Sequence, residues 1–217
     1  MDFYFNAGGN AFIVDFENSL IEIDINILDK VTGQPAKKVE GKIISCCNDI
    51  PYSVFSHLTI HLNETNVTPS NGHYGYKRYF EDLLNYSQEV KNTTLYAQGW
   101  VTDTPNAFDT ISSDGVKRRS YLFCPEAAEK DTELTPAHFL APLRLGLGNL
   151  QLLNGVNVKL RFTLQNPDFF IMHNVLTEDN PNGYKFAITK MKVHFLIRDL
   201  ESNTYESITR QLKTMPS

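Results

Sequence analysis

The chain has 217 residues, enough for one sizeable domain that needs no disulfide or metal staple, because a fold of this size hides roughly 70% of its unfolded surface. Its 25 acidic and 20 basic residues give a formal charge of −5, so there is no long-range attraction to nucleic acid or to an anionic membrane. No stretch approaches the ~18 consecutive apolar residues of a membrane-spanning helix, and no membrane span is expected.

In chain order, residues 3–5 predict a short edge strand before a Gly8-Gly9-Asn10 turn. Residues 11–28 give the cleanest strand: Ile21, Ile23, Ile25 and Ile27 alternate with Glu22, Asp24 and Asn26, one face buried and one wet. Residues 29–41, with Gly33, Pro35 and the solvated pair Lys37-Lys38, form a polar connection. Residues 52–62 predict a strand with Leu58, Ile60 and Leu62 on one face and His57, Thr59 and His61 on the other. An eleven-residue polar turn, NETNVTPSNGH, follows on the surface. Residues 74–90 then place Tyr76, Tyr79, Phe80, Leu83, Leu84 and Tyr86 at helical spacing, so a short helix is inserted near residues 76–90. Its aromatic cluster reads first as core, although tyrosines also suit a half-wet subunit contact.

After the helix, residues 94–102, which include the single tryptophan Trp100, predict a strand or extended crossing. Residues 103–137 are too polar and too long for an ordinary loop and predict a long excursion between strands. Within it, Lys117-Arg118-Arg119 reads as a solvated turn or a localisation signal rather than a nucleic-acid site, since acidic residues flank it. Residues 139–147 are apolar but broken by Pro142 and Gly146, and Asn154-Gly155 is a tight-turn pair. It precedes a strand with Val158, Leu160, Phe162 and Leu164 on one face. Pro167 ends that run, and residues 169–172 are a further apolar piece. The last strand, 186–197, puts Met191, Val193, Phe195 and Ile197 opposite Lys190, Lys192 and His194. Residues 199–217 read as a polar tail. About eight mostly antiparallel strands with long inter-strand loops predict an all-β fold, a jelly-roll β-sandwich over residues 1–198.

The residue types that carry catalysis are poorly arranged. No nucleophile elbow, phosphate-binding glycine loop, HExxH or CxxC occurs. His57 and His61 share a strand face but stand about 13 Å apart at ~3.3 Å per residue, too far to hold one ion. His138, His173 and His194 approach one another only if the fold brings them together. Glu81 and Asp82 are adjacent on a helix and point apart, and Glu22 and Asp24 read as a solvated strand pair rather than an acid-base couple. Cys46, Cys47 and Cys124 are an odd set without metal spacing and read as free thiols in a reducing compartment. With no leader in MDFYFNAGG, the sequons at Asn63, Asn66, Asn85 and Asn92 are read as chance. No catalytic residue, metal ligand, cofactor site or small-molecule substrate is assigned, and the chain is read as not an enzyme.

Two segments carry a resemblance: residues 48–63, NDIPYSVFSHLTIHLN, and residues 73–87, HYGYKRYFEDLLNYS. With residues 14–27, 152–172 and 184–198 in the same order, the chain resembles the first half of the double jelly-roll major capsid proteins of Polinton/Maverick elements and adintovirus-like viruses. It departs from that pattern at Glu64, where the family usually has glycine after asparagine, and at Gly75, where it tends to have proline. The resemblance implies a structural protein whose partners are copies of itself, as a homotrimer, and other capsid proteins. Three chains build a capsomer of an icosahedral virion shell, assembled in the nucleus or cytoplasm of the host. It also implies that residues 199–217 lead toward a second jelly roll that this chain does not contain. The alternative is a β-sandwich binding module for a carbohydrate or protein ligand, with Trp100 and tyrosines stacking on sugar rings. A cupin-like enzyme would need a histidine and carboxylate cluster that the spacing does not provide.

Overall fold

A computed structural model of the chain describes residues 1–6, 11–68, 73–107, 110–147, 151–153, 155–175 and 183–214. The first part holds strands β1 (Asp2–Phe5), β2 (Phe12–Asp29) and β3 (Ile44–Cys46), the short helix α1 (Ile50–Ser53), and strands β4 (Phe55–Leu62) and β5 (Thr65–Asn66). Helices α2 (Tyr74–Asn85) and α3 (Gln88–Asn92), a 3-10 turn at Thr94–Gln98 and helix α4 (Asp114–Ser120) follow. The rest comprises β6 (Ala137–Pro142), β7 (Gln151–Leu153), β8 (Val158–Leu164), α5 (Pro167–Phe170), β9 (Ile171–His173), β10 (Tyr184–Asp199) and α6 (Ser202–Thr214).

The strands form antiparallel sheets. One has the order β1-β8-β4-β5, a second runs β10-β2-β6 with β7 also against β2, and β3 pairs with β9. The alternation of the isoleucines explains the second sheet: Ile21, Ile23, Ile25 and Ile27 are at most 1% exposed and form its inner face. Leu58 and Ile60 of β4, Val158, Leu160 and Phe162 of β8, and Phe139 and Ala141 of β6 join the same hydrophobic cluster. Phe5 of β1 meets Phe195 of β10 at 4.5 Å between ring centroids, so the two larger sheets share one core. Several antiparallel sheets with a few short helices are compatible with a β-sandwich.

The long central strand bends near its start. Asp15 pairs with Leu196 and Leu20 with His194, so residues 16–19 of β2 stand opposite Phe195 alone. Asp15 holds this bulge together by accepting from the Asn18 amide at 3.2 Å, while the Ser19 hydroxyl donates to the Asp15 carbonyl at 2.6 Å and accepts from the Leu196 amide at 3.0 Å.

Several expectations are corrected. The strand expected over 52–62 begins only at Phe55, because Pro51 sits at the start of α1 and its fixed φ suits a first helical turn. The single helix near 76–90 is two: Tyr86 is extended and the Ser87 side chain caps α3 by accepting from the Val90 amide. Residues 94–98, expected to be extended, form a 3-10 turn that ends at Gly99 with φ 74°. The excursion 103–137 contains α4, capped by Ser113, and the polar tail contains helix α6. The Gly8-Gly9-Asn10 turn and Asn154 lie outside the described residues. Gly155 adopts φ 87°, as a turn glycine would.

Candidate functional site

The segment 48–53 is the hub of the molecule. Asn48, Asp49, Tyr52 and Ser53 are all buried, and each makes a hydrogen bond to another part of the chain or to the segment itself. Asn48 donates to the Val101 carbonyl at 2.7 Å and accepts from the Val101 amide at 3.0 Å, pinning the chain beyond Trp100. Tyr52 donates to the Pro142 carbonyl at 2.7 Å, and Ser53 donates to the Asn48 carbonyl at 2.7 Å. Burial pushes the Tyr52 phenol up, so it stays a neutral donor.

Two buried ion pairs brace this hub. Arg119 of α4 is fully buried; it donates to the Cys46 carbonyl at 3.0 Å, the Val101 carbonyl at 3.2 Å and Asp103 Oδ1 at 2.9 Å. The expected solvated turn at Lys117-Arg118-Arg119 is therefore wrong for Arg119, whose side chain points inward while the Lys117 side chain stays solvated beside Asp114. On the other side, Arg144 pairs with the fully buried Asp82 of α2 and also donates to the Tyr86 hydroxyl at 3.1 Å. Gln98 bridges Asp82 and Asp49 through its side-chain amide.

These pairings turn α2 over. Much of the stripe read first as core faces outward, with Tyr76 46%, Phe80 53% and Leu84 77% exposed, while Tyr79 and Leu83 are half-buried and Tyr79 stacks on Trp100. Tyr74, Gly75, Arg78 and Asp82 are the buried side. Gly75 allows the close approach: a Cβ there would lie 3.1 Å from Ser53 Cα and 3.2 Å from the Tyr52 carbonyl oxygen. Arg78 lies against the Tyr74 ring, 5.3 Å from its centroid, and pairs with Glu81. The half-wet tyrosine contact remains open at this face. Beside it, Tyr76 packs edge-on to Phe169 at 5.0 Å, and a recess of about 230 Å³ opens between Tyr76, Tyr79, Phe169, Cys47 and Ser53. On the opposite flank a cleft of about 560 Å³ is lined by Phe16, Lys77, Arg78, Tyr86 and Arg144 among others.

The remaining candidates fall elsewhere. His57 and His61 sit half-buried on β4, and His173 packs edge-on to Tyr184. Glu22 and Asp24 lie on the outer face of the second sheet, where Glu22 binds Lys190 and His194 and Asp24 contacts His138. Hydrogen bonds from Lys190 and His194 hold the Glu22 carboxyl down at about 2, which suits an anchor for neighbouring cations rather than a proton donor. Among the described residues no group of three or more histidine, cysteine or acidic side chains is placed to hold a metal ion. Trp100 is 3% exposed and stacks on Tyr79 at 5.4 Å, so its ring is covered. The three cysteines are free thiols, Cys46 and Cys124 buried. Among the described residues no helix is long and apolar enough to cross a membrane.

The inverted helix and its buried ion pairs were not legible from periodicity, which scores Phe80 and Leu84 as core and Arg78 and Asp82 as surface. No family model matches the chain. A Caenorhabditis elegans protein described as uncharacterized protein F54H12.2 is similar, with 28% identity over 156 residues that make up 71% of this chain and 33% of that protein; the chain thus matches about a third of the length of this relative.

Proposed function

We propose that the chain is a structural subunit of a virus-like shell, the N-terminal jelly roll of a double jelly-roll major capsid protein, which assembles through contacts between copies into trimeric capsomers. The observation that carries this reading is the outward apolar face of α2, with Tyr76, Phe80 and Leu84 set four residues apart on one side of the helix. A helix that buries Arg78 and Asp82 and displays Tyr76, Phe80 and Leu84 has unmet apolar surface, and a second protein surface meets it. The recess beside Tyr76 and Phe169 gives a neighbouring side chain somewhere to seat. The antiparallel sheets around one core are compatible with the jelly-roll reading, and the resemblance over residues 48–63 and 73–87 is what points to a capsid protein.

In this mechanism no bond is made or broken. The sheets hold the wall rigid, and each α2 face adds a modest contact repeated throughout the shell. Scaled by their exposures, burial of Phe80 and Leu84 supplies about 3 kcal/mol per face. In the carbohydrate-module reading Trp100 has no part, since a sugar ring has no access to its face.

The test is native mass by light scattering over a concentration series, for the wild type and for a Phe80→Glu/Leu84→Glu variant. Trimers or multiples of three for the wild type are expected, with the variant shifted to a monomer that is still folded. A variant that assembles as the wild type does would sink the assignment of this face, and a wild type monomeric at every concentration would sink self-assembly through this domain.

A further inference from the structure

Between α2 and the hub lies a buried acid pair. Asp49 and Asp82 are both 0% exposed, and one Gln98 amide donates to each, at 2.9 Å to Asp49 Oδ1. Asp82 has a cation, Arg144, in direct contact. Asp49 has none: its second oxygen, Oδ2, receives no hydrogen bond, although its backbone is locked in the left-handed region at φ 58° with its amide bonded to the Asn48 side chain. Two buried carboxylates that share one amide donor and one close arginine cannot both remain charged cheaply. A proton on Asp49 Oδ2 resolves the deficit, because it turns an acceptor without a donor into a donor aimed at the neighbouring carboxylate.

We propose that Asp49 is a neutral carboxylic acid at neutral pH, hydrogen-bonded to the Asp82 carboxylate, and that loss of this proton to solvent in alkaline solution unseats α2 from the hub. Burial first, and then the Asp82 charge, hold the Asp49 carboxyl well above the usual range, with Arg144 and Arg78 opposing. Asp82, Arg144 and Arg78 are the charged groups around it, and the tyrosines and the cysteine packed there stay neutral over the same interval. Burial pushes Tyr52, Tyr74 and Tyr79 up and Cys47 up to about 11. Asp82 lies on α2 and Asp49 on the hub, so the repulsion created by ionisation acts across the contact that seats the helix.

The sign of the effect follows from proton counting. In the unfolded chain Asp49 ionises near the ordinary aspartate value of 3.8, while in the fold it keeps its proton to higher pH. Between those two values the unfolded state binds one proton fewer, so the folding equilibrium constant falls tenfold for each pH unit gained. Asp49→Asn supplies the same shape with a permanent donor and no titration, and asparagine tolerates the left-handed backbone.

The experiment compares chemical unfolding of the wild type and Asp49→Asn from pH 5 to pH 7. The variant should gain on the wild type by about a hundredfold in folding constant over those two units. Trp100 is the sole tryptophan and stacks on Tyr79 of α2, so its emission reports the seat of the helix. Alkaline titration should shift that emission in the wild type and leave it unchanged in the variant. Infrared difference spectra with 13C-labelled aspartate should show a protonated carboxyl in the folded wild type at pH 7, which requires no variant at all. Parallel stability curves, identical emission titrations, or the absence of the carboxylic-acid band would each overturn the proposal.

Discussion

Replacing Arg119 with methionine tests whether the hub depends on its buried ion pair. The guanidinium is fully enclosed and donates to Asp103 and to the carbonyls of Cys46 and Val101. Methionine fills most of the volume, so the loss is chiefly polar. Removing one partner of a buried pair costs about 3–5 kcal/mol; the Cys46 carbonyl loses its side-chain donor while the Val101 carbonyl keeps the one from Asn48, which places this case in the middle of that range, about 4 kcal/mol. For a chain of this size that corresponds to a fall of roughly 10 °C in melting temperature. The cost should also depend on pH in a defined direction. Burial already pushes the Asp103 carboxyl up against the opposing pull of Arg119, and without the arginine it rises further. Arg119→Met is therefore most destabilising where Asp103 is ionised and alone, and its cost shrinks as pH falls and that acid takes a proton. Urea unfolding at several pH values, with Arg119→Met/Asp103→Leu beside the single variant, measures this. The double variant should recover much of the loss, because the lone charge is gone. A single variant within 1 kcal/mol of wild type, or a double variant no better than the single, refutes the reasoning.

Two further outcomes are expected. Gly99→Ala should cost about 2–4 kcal/mol in thermal or urea unfolding, since φ is 74° and a Cβ would lie 2.6 Å from Ile50 Cδ1 and 2.8 Å from Phe139 Cε1; a change under 0.5 kcal/mol would show that the 3-10 turn shifts freely. Cys47, pushed up to about 11 by burial, should be alkylated at pH 8 about a hundredfold more slowly in the folded chain than in urea, as read by mass spectrometry, with Cys46 slower still; equal folded and unfolded rates would show that the site opens.

What the sequence made legible was periodic. The isoleucine alternation of β2 and the alternation of β4, β8 and β10 are written in residue spacing, and the structure puts Ile21 to Ile27, Leu58, Ile60 and Phe162 inside. Where the periodic signal was equally clear but wrong, on α2, the reason lies outside the segment. Arg144, sixty-two residues downstream, supplies the cation that allows Asp82 to be buried, and Gly75 lets the helix approach α1 with its polar side inward. No window centred on residue 80 contains Arg144. The same holds for Arg119, whose partners Cys46, Val101 and Asp103 come from two distant segments, so its charge read locally as solvated. At residues 94–98 the β-prone composition lost to tertiary context: Gly99 ends a 3-10 turn whose backbone amide bonds to the Tyr96 carbonyl, and β6 packs closely against it.

The placement of polar residues gives the inversion of α2 a physical meaning. A helix of this composition could bury Phe80 and Leu84 and leave Arg78 and Asp82 in water, which is the cheaper choice for an isolated domain because buried ion pairs seldom outweigh their desolvation. The chain instead concentrates Asp49, Asp82, Gln98, Arg78, Arg144, Asp103 and Arg119 around one short segment, 48–53. Polar contacts are directional where apolar ones are not, so this arrangement fixes the rotation of α2 about its own axis, with the hydrophobic stripe outward. The stability forgone by leaving Phe80 and Leu84 in water is recoverable only when another surface covers them. That asymmetry connects the buried network to the proposed assembly. It requires that loosening the network, by Arg119→Met or by ionising Asp49, weaken contacts between copies even though neither residue reaches the outer face. If instead the Arg119→Met variant assembled with undiminished affinity while losing stability, the network would serve the fold alone and the outward stripe would need a different explanation.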